Sequence, residues 1–163
     1  LRMDKIRPTI VNNLNVYLNT NCPEAMTLTD FLDDIVATDD EIAVTTKDPA
    51  TGLAMVLSRY LHPLTFLERP LHKINKNAWF VKKDEGWKEK GGGFIVGQAR
   101  KTVLSRWIKG YKGNSMDLYL QVVRGNCRHL TLQESNEAED KLGRLCRIDE
   151  RSHGGLNILP VGR

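Results

Sequence analysis

The sequence predicts an α+β fold. Several segments carry apolar residues at three- and four-residue spacing, opened by a capping residue or a proline. One stretch, Arg69 to Lys82, reads as two strands meeting at Asn75-Lys76-Asn77, where asparagine suits a turn. Across 163 residues, 40% hydrophobic content supplies a core for one domain or two small ones and excludes a disordered chain. No apolar run reaches the ~20 residues of a membrane-spanning helix.

Taken in order, Asp4 to Leu18 places Ile6, Ile10, Leu14 and Leu18 on one helical stripe, starting near Arg7 because Pro8 fits only the first turn. Thr27 caps a second helix whose apolar face is Leu28, Phe31, Leu32, Ile35 and Val36, closed by Asp39-Asp40. The β-branched run from Glu41 to Thr46 predicts a short strand. Asp48-Pro49 opens a third helix to Leu61, with Leu53, Val56, Leu57, Tyr60 and Leu61 inward. After the strand pair, the charged and Gly-rich piece Asp84 to Gly93 reads as a loop, which leaves Trp87 exposed. A short apolar stretch, Phe94-Ile95-Val96, precedes a helix from Gln98 to Tyr111. Alternation from Met116 to Arg124 predicts a half-buried strand. Thr131 and Glu134 form a capping box for a last helix to about Ile148, with Leu132, Ala138, Leu142 and Leu145 inward. The tail from Ser152 is Gly- and Pro-rich and predicted to be loosely ordered.

Charge is divided unevenly along this chain. The net charge of +4 averages two opposed blocks. Glu24 to Asp48 holds eight acids and one base; Arg69 to Lys112 holds twelve bases and three acids. Six of the eleven aromatics lie in the basic block: Trp79, Phe80, Trp87, Phe94, Trp107 and Tyr111. Lysines and arginines neutralise phosphates, and exposed aromatics stack on bases.

The order helix, helix, short strand, helix, hairpin from Asp4 to Lys83 resembles a winged helix-turn-helix domain. The resemblance implies a winged-helix-like domain over 4–83, a small basic α/β part over 94–150 and a tail over 151–163. It also implies that the helix Asp48 to Leu61 reads DNA through Thr51, Met55, Ser58, Arg59 and His62, with Lys73, Asn75, Lys76 and Asn77 in the wing. The acids of the preceding helix would repel phosphates at short range. The expected phosphate contacts therefore shift to the wing and beyond it: Lys73, Lys76, Lys82, Lys83, Trp87, Lys88, Arg100, Lys101, Arg106, Lys109 and Lys112, beside Arg59.

The remaining motifs are negative. Gly92 to Gly97 has P-loop glycine spacing, but Gln98-Ala99 stands where Lys-Ser/Thr is required. Asn126 to Asn136 loosely resembles the end of an HNH nuclease motif without its upstream histidines, so a metal-dependent nuclease is only the minor alternative to a non-enzymatic protein. Cys22, Cys127 and Cys146 with the four histidines match no standard zinc spacing, and no metal or cofactor is expected. The odd, widely spaced cysteines, and an N-terminal stretch without the apolar segment of a signal peptide, predict an intracellular protein of cytoplasm or nucleoid.

The reading is thus a DNA-binding protein, DNA favoured over RNA: a bacterial or viral regulator, replication factor or packaging factor. Its rival is an adaptor or inhibitor that binds a protein through Asp30, Asp33, Asp34, Asp39 and Asp40. Homo-oligomers pairing the two charge blocks are a third expectation.

Overall fold

A computed structural model describes residues 14–75 and 78–146. The fold is α+β, with seven helices and a three-stranded antiparallel sheet among the described residues. Helix α1 covers described residues 14–21; α2 is Leu28–Asp33, α3 Asp39–Lys47 and α4 Pro49–Leu61. Strands β1 (Leu71–Asn75), β2 (Ala78–Lys83) and β3 (Gly86–Lys90) follow, then α5 (Gly92–Gly110), α6 (Met116–Cys127) and α7 (Leu132–Cys146). The expected start of the first helix, the loop residues Lys76 and Asn77, and the tail lie outside the described residues.

Several expectations are corrected. The strand over 41–46 is instead α3: the Thr38 hydroxyl accepts the Glu41 N–H while the Glu41 carboxylate accepts the Thr38 N–H. The β-branched Thr45 and Thr46 return their hydroxyls to the carbonyls of Glu41 and Ala43. Asp39-Asp40 therefore opens a helix instead of closing one, and α2 ends at Asp33. The loop over 84–93 contains β3, reached by a tight turn at Asp84-Glu85 that needs Gly86 at φ +120°. The strand over 116–124 is α6, capped by the Ser115 hydroxyl on the Leu118 N–H. Both edges of β2 are already occupied, by β1 and β3. Leu132, expected inward, is exposed at the first position of α7.

Strand alternation divides the core. Leu71, Trp79 and Val81 face the helices in the main cluster, with Leu53, Val56, Leu57, Val103 and Leu142. Phe80 and Trp87 point to the other sheet face, beneath Leu14, Leu18 and Cys22. There Trp87 is 1% exposed and donates its indole N–H to the Cys22 carbonyl at 3.1 Å, which corrects the expectation of an exposed tryptophan. Helix α4 packs between α3 and α7. A Cβ on Gly52 would come within 2.6 Å of the Thr45 nitrogen, and closer to its Oγ1 and Cα, so the α3–α4 crossing requires glycine. No helix among the described residues is long and apolar enough to cross a membrane.

Candidate functional site

Helix α5 is the longest element among the described residues and joins the core to the basic surface. Its inner face buries Ile95, Val96, Ala99, Val103, Leu104 and Trp107. Its N-cap, Gly91, has no side-chain oxygen to offer. The buried Glu139 carboxylate of α7 lies over Gly92 instead, held by the Trp79 indole N–H at 3.2 Å. Negative charge at a helix N-terminus is favourable, so this placement favours the start of α5. At the other end Trp107 donates to Asp39 at 2.9 Å, tying α5 to the start of α3.

The helix carries four bases, Arg100, Lys101, Arg106 and Lys109, and no acid. Phe94, Gln98, Lys101, Ser105 and Lys109 fall within an arc of about 80° and span about 22 Å along the axis. Exposed Lys101 and Lys109 sit on this outer ridge; Arg106, also exposed, flanks it, and Lys112 follows the helix end. Phe94 is 47% exposed, and its ring centroid lies 5.8 Å from the Lys83 ammonium and 5.1 Å from that of Lys90. Strand register puts Lys83, Lys88 and Lys90 on the sheet face shared with Trp79 and Val81.

Several recesses border α5, one near each end among them. One, of about 560 Å³, is lined by Val36, Asp39, Arg106, Trp107, Lys109 and Lys112. Another, about 350 Å³, lies between Gly93, Gly97 and Lys101 and the α6–α7 connection at Cys127, Arg128 and His129.

Other bases of the block serve the fold. Arg100 is buried and donates to the carbonyls of Gly125 and Arg128, satisfying the end of α6. Burial lowers its pKa, Arg128 adds to that, and Glu134 opposes it. Lys73 is buried with its ammonium 5.6 Å from the Trp79 ring centroid. Arg69 donates to the carbonyls of Leu64 and Leu145. Lys82 is half-buried and Lys88 exposed, while Lys76 lies outside the described residues.

On α4, Met55 and His62 are exposed and Thr51 and Ser58 partly so. Arg59 is occupied: it bridges the Glu41 carboxylate at 2.8 and 3.0 Å and donates to the Val36 carbonyl at 2.8 Å. The hydrogen bond from Arg59 holds Glu41 below the ordinary carboxylate range. Asp30, Asp33, Asp34, Asp39 and Asp40 are all exposed.

Glu134 is a fastening as well. Its carboxylate takes two hydrogen bonds from Arg128 and the Thr131 N–H, which together push its pKa down to about 2. Among the described residues no group of three His, Cys, Asp or Glu could hold a metal ion. Burial raises the Cys22 thiol to about 11 and the Cys146 thiol to about 12, which makes both poor nucleophiles.

Sequence reasoning left Phe94 and Lys90 out of the site. The signal was available in the 94, 98, 101, 105, 109 spacing, once α5 is started at Gly92. Comparison with models of protein families, with curated proteins and with solved structures found no match for this chain.

Proposed function

We propose that the protein binds nucleic acid, DNA in preference to RNA, by laying the outer ridge of α5 along a phosphate backbone, without catalysis. The observation that supports this most is the ridge itself. It is a long helix with three exposed bases, Lys101, Arg106 and Lys109, and no acid, continued by Lys83 and Lys90 around a half-exposed Phe94. The ammonium groups neutralise phosphates, and the phenyl ring offers a face on which an unpaired base stacks. The winged-helix resemblance stays within this proposal as the arrangement of α2, α4 and the β1–β2 hairpin, with β3 widening the wing. Phosphate contact moves to α5 because Arg59 of α4 is engaged by Glu41 and acids crowd α2 and α3. An intracellular regulator, replication factor or packaging factor would use such a surface.

The test is titration of labelled duplex and single-stranded oligonucleotides, DNA and RNA. Replacing Lys101 and Lys109 by Glu is expected to lower affinity at least tenfold, whereas Asp33→Lys with Asp34→Lys leaves or raises it. Wild-type protein without measurable affinity at low salt overturns the proposal.

A second reading rests on Val36, which is 60% exposed amid Asp33, Asp34, Asp39 and Asp40. An exposed apolar side chain close in sequence to four exposed carboxylates suits a basic protein partner, and the aspartate reversals would abolish that binding without lowering affinity for nucleic acid.

A further inference from the structure

Helix α6 has two apolar faces, and the described residues cover one. Val122 is fully buried, and Leu118 and Tyr119 pack partly against the core. Asn126 on the same side donates to the Ser105 hydroxyl of α5. The second face carries Met116, Leu120, Val123 and Cys127, spaced i, i+4, i+7 and i+11 within an arc of about 60°. Met116 is 65% exposed and Leu120 40%; Val123 is partly exposed and Cys127 exposed. That spacing is the seam of a two-helix coiled coil, about 16 Å long here. Its outer flank carries one acid, Asp117, and one base, Arg124, both exposed.

We infer that this seam pairs antiparallel with the same seam of a second copy of the chain. A two-fold contact must be complementary to itself. Antiparallel pairing about a point between Leu120 and Val123 meets that condition. Leu120 falls opposite Val123 of the other copy, Met116 opposite Cys127, and Asp117 beside Arg124, twice over. Parallel pairing would bring Cys127 to Cys127 and forgo both charge pairs. Four apolar residues per copy cover much less than the ~800 Å² per partner of a standard stable interface, so the dimer is weak and appears at high concentration.

Sedimentation over a concentration series reads this directly. The weight-average mass is expected to rise toward twice that of one chain. Leu120→Asp, at a half-exposed position the fold does not need, removes the rise. Asp117→Lys weakens it, and Asp117→Lys with Arg124→Asp restores it. Oxidative crosslinking supplies the geometry. Met116→Cys, with native Cys127 present, is expected to yield a disulfide-linked dimer, while Met116→Cys in a Cys127→Ser background does not. Cys22 and Cys146 are buried and do not compete. A monomer at every concentration, a dimer indifferent to Leu120→Asp, or a wild-type dimer linked through Cys127 to Cys127 overturns the inference.

Discussion

Replacing Gly52 and Gly97 by alanine makes the same chemical change in two helices and is expected to give opposite results. In an unobstructed helix the exchange gains about 0.5–1 kcal/mol, because glycine loses more backbone entropy on folding. Gly97 meets that condition: a Cβ there has no atom within 4 Å. Gly52 does not, since its Cβ would press on the Thr45 backbone, which no side-chain rotation can relieve. Helices α3 and α4 must move apart, and overpacking of that kind typically costs 1–3 kcal/mol. With relief by rotation unavailable, about 3 kcal/mol is reasonable, and subtracting the propensity gain leaves about 2 kcal/mol of destabilisation. In a chain of this size that lowers Tm by about 4–8 °C, while Gly97→Ala raises it by about 1–4 °C. Thermal and urea unfolding followed by circular dichroism decide the matter. A Gly52→Ala protein as stable as wild type would refute the close α3–α4 crossing, and with it the reassignment of 41–46 from strand to helix.

Three further outcomes follow from the described contacts. Glu41 is held below its ordinary value of 4.5 chiefly by Arg59, so its contribution is complete above about pH 4.5 and fades as pH falls through its lowered value. Arg59→Met is expected to cost about 0.5–1 kcal/mol at pH 7, discounted because the Arg59 side chain is 45% exposed, and to flatten acid unfolding; an unchanged acid limb contradicts this. All three tryptophans, Trp79, Trp87 and Trp107, are buried, so the native emission should be blue-shifted and weakly quenched by acrylamide; a strongly quenched component points to an exposed Trp87. Phe94→Ala should lower affinity for single strands by about 1–3 kcal/mol, measured by titration, and leave Tm unchanged to within about 2 °C.

Where a cap and a periodic apolar face coincide, the element was legible in the sequence. Thr27, Asp48-Pro49 and Thr131 each open the helix expected of them. Where a local pattern has two physical uses, it misled. The Glu41–Thr46 run is β-branched, but a capping box one turn earlier commits it to helix. Alternation in Met116–Arg124 reads as a strand, although Met, Leu and Gln are good helix formers and the Ser115 hydroxyl caps a helix at the Leu118 N–H. Gly-Trp-Lys-Glu-Lys reads as a loop because an edge strand carries charges, and the same polar surroundings hide that its one inward residue, Trp87, is core. The basic block was visible as composition. Its division into fastenings (Arg69, Lys73, Arg100) and exposed cations (Lys101, Arg106, Lys109) depends on long-range contacts with α6 and α7 that no local pattern encodes.

The salt dependence of duplex binding bears most directly on the α5 ridge. If Lys83, Lys90, Lys101, Arg106 and Lys109 each neutralise a phosphate, log K should fall against log salt with a slope of about −4 to −5. Lys101→Ala with Lys109→Ala should reduce that slope by about 2. A slope near zero, or one that this double substitution leaves untouched, would contradict phosphate contact along α5.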